Sequence, residues 1–341
     1  MPILGIIASG ISGNLVPPKA IAVAHGGTPY ITAYPWSSGF GAKYADPATL
    51  PTGNGDSVAF RSQGDVIAVA HYTSPFISVY PWSSGFGSKY SNPATLPGGS
   101  GRGVAFTSAG DNIAVSHNTS PFITAYPWSS GFGTKYSNPA TLPTNTGNFP
   151  AFTTAGNAIA VAHPTSPYIS AYPFSSGFGT KYANPATLPP AQARSVTFRP
   201  QDDVIAVVHA DPPNISAYPW SSGFGTKYAN PASVPPGAGS YGVAFNPAGD
   251  TIATANNNVA RVTAYPWSSG FGTKYSNPPN VTYGAGYGVA FNPAGDAIAV
   301  AGYGSSSNDR ITAYPWSAGF GTKYADPATV PAATGRDVDF S

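Results

Sequence analysis

Apolar and small residues alternate in short runs along most of the chain. In Ile67-Ala68-Val69-Ala70 two positions are bulky and the two between them are alanine, and Val58-Ala59-Phe60 keeps the same rhythm. A period of two is that of a β-strand, whose successive side chains point to opposite faces. Neither face here is polar. A sheet with one bulky and one small face can stack on a copy of itself, bulk against small, so that both faces are buried. A free-standing sandwich would instead carry polar residues on one face of every strand. The runs are bounded by residues suited to tight reversals, such as Ser62-Gln63-Gly64-Asp65 and Ser83-Ser84-Gly85.

The pattern repeats. A phrase of tyrosine, proline, aromatic and then SSGFGTKY, with small changes, occurs seven times. Its aromatic falls at Trp36, Trp82, Trp128, Phe174, Trp220, Trp267 and Trp316, at spacings of 46, 46, 46, 46, 47 and 49. A period of roughly 40–50 residues without a helical pattern is that of propeller blades of four strands. In one unit the four predicted strands are residues 57–60, 66–70, 76–80 and 86–90. The chain enters its first unit at a second strand, residues 20–24. It ends on Asp337-Val338-Asp339-Phe340, which matches the first-strand phrase. The fold predicted is therefore all-β, a single seven-bladed β-propeller over residues 20–341. Residues 338–340 form the innermost strand of the first blade and close the ring, which removes exposed sheet edges. Residues 1–19 precede it as an apolar docking segment that reads poorly as a secretory signal, having no basic residue ahead of its apolar stretch.

Composition agrees with turns joining short strands. The 341 residues include 40 Gly and 37 Pro, only 8% are charged, and every acid is Asp. Without Glu a helix-rich protein is not expected. Without Cys there is no disulfide, thiolate metal site or Cys nucleophile. A net charge of +2 gives no reason to expect a nucleic-acid partner, and no apolar run is long enough to span a membrane.

The phrase Val243-Ala244-Phe245-Asn246-Pro247-Ala248-Gly249-Asp250, followed by Ile252-Ala253, resembles the inner hairpin of WD-repeat propellers. The repeat's Trp is similar to the Trp of the WD dipeptide, but the next residue is Ser, as at Ser37 and Ser83, so that family's hydrogen-bond set is not implied. The opening Met1-Pro2-Ile3-Leu4-Gly5-Ile6-Ile7-Ala8-Ser9, and the near-identical repeat, resemble virion proteins of tailed bacteriophages. That resemblance implies a virion component. Its partners would be other virion proteins, or a glycan or protein of the host surface.

Several positions bear on chemistry. His25, His71, His117, His163 and His209 each follow a second strand and lie on one face; Asn256 and Gly302 replace them in the last two units. A metal ring is disfavoured, because at a radius near ~12 Å neighbours are separated by roughly 10 Å, whereas a metal needs ligand atoms at about 2 Å. The expected role is a hydrogen bond to the next loop. The lysines Lys43, Lys89, Lys135, Lys181, Lys227, Lys274 and Lys323 would shield an outer edge. Asp339 is anomalous, since it replaces a small-face alanine, and it faces either the channel or a local partner.

One column of the repeat varies strongly, two residues before the inner-strand Val. It reads Asp56, Arg102, Asn148, Arg194, Tyr241, Tyr287 and Arg336. The loops after the histidine position, as at Tyr72-Thr73 and Asn257-Asn258, vary on the same face. Arg, Tyr and Asn make good contacts on a binding surface. The expectation is a channel-mouth binding face, with the five histidines as secondary members, in a non-enzymatic structural or binding module without cofactor. Two alternatives stand beside it. A propeller lectin would hold one sugar pocket per blade, built from the fixed Trp and Tyr. A propeller hydrolase of lactonase or glycosidase type would need clustered acids or a metal.

Overall fold

A computed structural model describes residues 19–237, 239–257, 260–279 and 284–341. The docking segment, except Lys19, and the loop residue Asn258 lie outside the described residues. Among the described residues there are seven antiparallel sheets of three strands each. No helix is long and apolar enough to cross a membrane.

Each blade repeats one plan. In the second, Gly55–Phe60 is innermost, Val66–His71 is central and Ile77–Pro81 is outer. The first blade is assembled from both ends of the chain, with Gly335–Phe340 pairing Ala20–His25 through Val338 opposite Val23 and Phe340 opposite Ile21. The ring is closed as the terminal phrases predicted.

The small and bulky faces meet across every junction. Ile67 and Val69 pack on Ala20, Ala22, Ala24 and Ala33 of the blade before, and Ile21 and Val23 pack on Ala297, Ala299, Ala301 and Ala313 of the seventh. Aromatic rings lock the outer part of the junction. Trp82 meets Tyr44 at 5.1 Å, Phe60 at 5.3 Å and Phe86 at 5.0 Å, all edge-on. Tyr80 is fully buried and its hydroxyl donates to the Thr49 carbonyl at 2.8 Å. Burying the hydroxyl with an acceptor avoids the cost of an unpaired polar group.

The fourth predicted strand does not form a ladder. Residues 86–90 make a single bridge, Trp82 to Phe86, and two backbone bonds, Gly87 N–H to Pro81 O at 2.8 Å and Tyr90 N–H to Val79 O at 2.9 Å. Pro81 has no N–H with which to return a bond, so pairing stops there. The reversal uses Ser84 at φ +65° and Gly85 at φ +138°, a conformation that glycine tolerates without strain.

Candidate functional site at the channel mouth

The variable column owes its position to a backbone irregularity. In six blades the ladder between the inner and central strands shifts register at this residue. Gly55 pairs with His71 and Ser57 with Ala70, leaving Asp56 as the extra residue. The same bulge isolates Arg102, Arg194, Tyr241, Tyr287 and Arg336. A bulge re-aims a side chain that would otherwise lie on the sheet face. In the fourth blade Pro150 stands where the others have a valine, and the inner strand shortens to Pro150–Phe152. Asn148 is there held by its N–H to Ala162 O at 2.8 Å and its Nδ2 to Ala193 O at 2.7 Å.

All seven residues line one cavity of about 850 Å³. Asn54, Thr146, Gln192 and Thr334 also line it. These four stand two residues before column members, a second varying column that the apolar rhythm does not single out and that comparison of the repeats displays.

The cavity has two unlike halves. In one, Asp56 is buried between two guanidiniums, accepting from Arg102 Nη1 at 3.0 Å and from Arg336 Nη1. Burial pushes the Asp56 carboxyl above its ordinary value, against the pull of Arg336 and Arg102. Burial alone would lower the Arg336 guanidinium, but Asp56 outweighs it and holds it raised. Tyr72, an exposed loop residue, accepts from Arg102 Nη1, and the Arg102 guanidinium lies 4.5 Å from the centre of its ring. In the other half Arg194 lies 3.9 Å over the Tyr241 ring, and Tyr241 meets Tyr287 edge-on at 4.8 Å. Among the described residues Asp56 is the one carboxylate in the lining.

The histidines do not reach this cavity. All five are fully buried and bonded within their blades, His71 Nε2 to Ser78 Oγ at 3.0 Å and His117 Nε2 to Thr124 Oγ1 at 2.9 Å. His163 Nδ1 donates to the Thr165 carbonyl at 2.7 Å, the loop contact expected of it. Burial lowers each to about 4, so the rings are neutral near pH 7. Their placement as secondary members of the binding face is corrected on this ground: the loop after the central strand closes over them. Lysines of the outer segment are tied to the Asp or Asn three residues on, as Lys43 to Asp46 at 2.5 Å and Lys274 to Asn277 at 2.6 Å. The Trp and Tyr proposed as one sugar pocket per blade are covered, with Trp82 2% exposed and Tyr80 0%. Their faces serve the junctions.

Asp339 takes the local partner. Its Oδ2 accepts the Phe60 N–H of the adjacent inner strand at 2.7 Å, and Asp337 Oδ2 accepts Ser57 Oγ at 2.8 Å and Val58 N–H at 3.1 Å. Burial pushes Asp337 up to about 6, and burial with the Asp337 charge pushes Asp339 up to about 7. Among the described residues no group of three or more His or Asp side chains is arranged to hold a metal ion.

No protein-family model and no curated protein matches the chain. Solved structures do. A candidate 6-phosphogluconolactonase from Bacteroides fragilis is similar at 12% identity with a TM-score of 0.70, covering 95% of this chain and 98% of that one. One from Bacteroides uniformis is similar at 14% identity with a TM-score of 0.64, over 95% and 99% of the two chains. The periplasmic gluconolactonase of Pseudomonas aeruginosa is similar at 12% identity with a TM-score of 0.69, over 94% and 99%. At these identities the likeness is one of fold, and it supports the propeller while giving no support to a phage virion assignment. All three neighbours are named for lactonase activity, which overturns the expectation of a non-enzymatic module and favours the hydrolase alternative.

Proposed function

We propose that this chain is a lactone hydrolase working at the channel mouth. The observation that carries the reading is the meeting of seven column residues in one cavity. There a lone carboxylate, Asp56, sits between two guanidiniums, in a fold shared along its length with proteins named lactonases. Lactone hydrolysis adds water across an acyl C–O bond. A base takes a proton from the attacking water, the carbonyl oxygen gains negative charge, and the ring oxygen leaves as a hydroxyl. Asp56, raised by burial, is the base within the lining. Arg102 and Arg336 flank it and supply fixed positive charge for the oxyanion. The tyrosines Tyr241 and Tyr287 offer ring faces and hydroxyls to a sugar. The absence of Glu and the scatter of Asp along the chain weigh against an enzyme when the sequence is read alone. One buried Asp with two guanidiniums answers that objection.

The test is acid release from δ-gluconolactone and from its phosphorylated and carboxylated relatives, followed by pH-stat. The expected result is a rate above spontaneous hydrolysis for at least one of them, falling about 10²–10⁴-fold in Asp56→Asn. A wild-type rate equal to background on every lactone, or an unchanged Asp56→Asn, rejects the reading.

A further inference from the structure

We infer that the Arg194 half of the cavity seats an oxyanion, the phosphoryl or carboxylate group of a sugar ligand. The inference rests on the hydrolase reading only for what lies at the ligand's other end. Arg102 and Arg336 both donate to Asp56. Among the described residues Arg194 has no hydrogen-bond or ion-pair partner, and its Nη1 is buried without one. Arg194 as a whole is half-buried, so its guanidinium can meet a ligand while its buried Nη1 donor lacks a partner for that ligand to supply.

Three further features suit an anion. The guanidinium is held over the Tyr241 ring, and Tyr241 is itself braced by Tyr287, so the planar fork is oriented before a ligand arrives. Gly239, at φ +111°, leaves room for it: a Cβ there would come within 3.1 Å of Arg194 Nη1 and 2.8 Å of the Ala210 carbonyl. The neighbouring column members are Asn148 and Tyr241, with no acid in that half, whereas in the other half the guanidiniums of Arg102 and Arg336 are already engaged by Asp56. A ligand bound this way lies across the mouth, with its charged group on Arg194 and its uncharged reacting end toward Asp56.

Calorimetric titration with inorganic phosphate and, separately, with gluconate tests the seat and distinguishes the phosphoryl from the carboxylate source. Wild type is expected to bind at least one of them saturably, more weakly at high salt. Arg194→Gln is expected to lower that affinity at least tenfold, and Arg102→Gln at most about threefold; thermal melts confirm that each variant is folded. No saturable binding by wild type overturns the inference, as does an equal loss in both variants. If Arg194→Gln does not fold, Arg194→Met keeps the apolar stem and removes the charge, and unchanged binding in that variant overturns it. Because the titration involves no hydrolysis, a chain that binds the anion at Arg194 but opens no lactone refutes the proposed reaction and leaves the seat standing.

Discussion

The two ends of the inner strands are made from the same repeat and do opposite work. At the far end each hairpin turn keeps one construction. Asp65, Asp111, Asp203, Asp250 and Asp296 offer their carbonyls to the backbone N–H of the repeat's Trp at 2.7–2.8 Å. The aromatic cluster behind that bond recurs at every junction. At the mouth end the bulge recurs but its side chain does not, and the column reads Asp, Arg, Asn, Arg, Tyr, Tyr and Arg around one cavity. A ring of near-identical blades gives a symmetric frame. A site that must hold an unsymmetrical molecule needs different residues at equivalent places. The bulge supplies such places, because its extra residue is left out of the ladder and can change without disturbing the pairing.

The largest expected effect tests that division directly. Trp82→Ala removes a ring that touches Tyr44, Phe60 and Phe86 and leaves a cavity between two blades. It is expected to cost about 3–5 kcal/mol in urea unfolding. Tyr241→Ala at the mouth loses one edge-on ring contact and the Arg194 guanidinium over its face, and is expected to cost about 1 kcal/mol. Comparable losses in the two variants would mean that the mouth residues are also structural and that the contrast is wrong.

The frame was legible because its signals are periodic. Alternating Ala with Ile or Val, the recurring aromatic and the matching terminal phrases define blade number, blade stacking and ring closure. The mouth column was legible through its variation against a fixed background. What escaped was local and non-periodic. The loss of the fourth ladder follows from one missing N–H, at Pro81 and its counterparts, which a reading of apolar rhythm does not register. The sequence puts the histidines at the mouth because they end the central strand there. Only the path of the following loop, as in the bond from His71 N–H to Phe76 O at 3.0 Å, shows that they are roofed over. The pairing of Asp56 with Arg336 joins residues 280 positions apart, and no spacing rule foretells it.

A second prediction sharpens the contrast between frame and site. The five buried histidines are neutral when folded, near 4, against about 6.5 when exposed. A group whose value is lowered on folding stabilises fully above the unfolded value and loses that contribution as pH falls. Stability should therefore drop between about pH 6.5 and 4, with five groups acting together. The sixth blade names the remedy. Asn256 occupies the equivalent place and donates from Nδ2 to Thr263 Oγ1 at 2.8 Å, as His117 pairs with Thr124. His117→Asn should fold at pH 7. Between pH 7 and pH 5 it should gain about 2 kcal/mol on wild type, since a tenfold difference in proton affinity between the folded and unfolded chain is worth about 1.4 kcal/mol. A parallel acid profile for the two proteins would show that another group governs acid unfolding.

The smallest expected effect concerns the seam where the chain's ends meet. Asp337 and Asp339 are the frame's acidic departures from its own repeat, placed where the other blades carry Ser, Gly or Phe and Ala or Thr, and both accept amide protons from the neighbouring strand. Their folded values, about 6 and about 7, lie above the ordinary 3.8, so the sign is opposite to that of the histidines. Their contribution is complete at low pH and is lost as pH rises through those values. The unfolded histidines still lose protons above pH 6.5, so the Asp339 contribution is read as the difference between variant and wild type. Asp339→Asn keeps a carbonyl oxygen to accept the Phe60 N–H but carries no charge. Relative to wild type it should lose less urea stability as pH rises to 8 and gain on the order of 1 kcal/mol there, the half-buried position of Asp339 screening part of the penalty. An unchanged slope would mean that the carboxylate at the seam is as comfortable as in water, and that the closing strand is held by its ladder to Ala20–His25 alone.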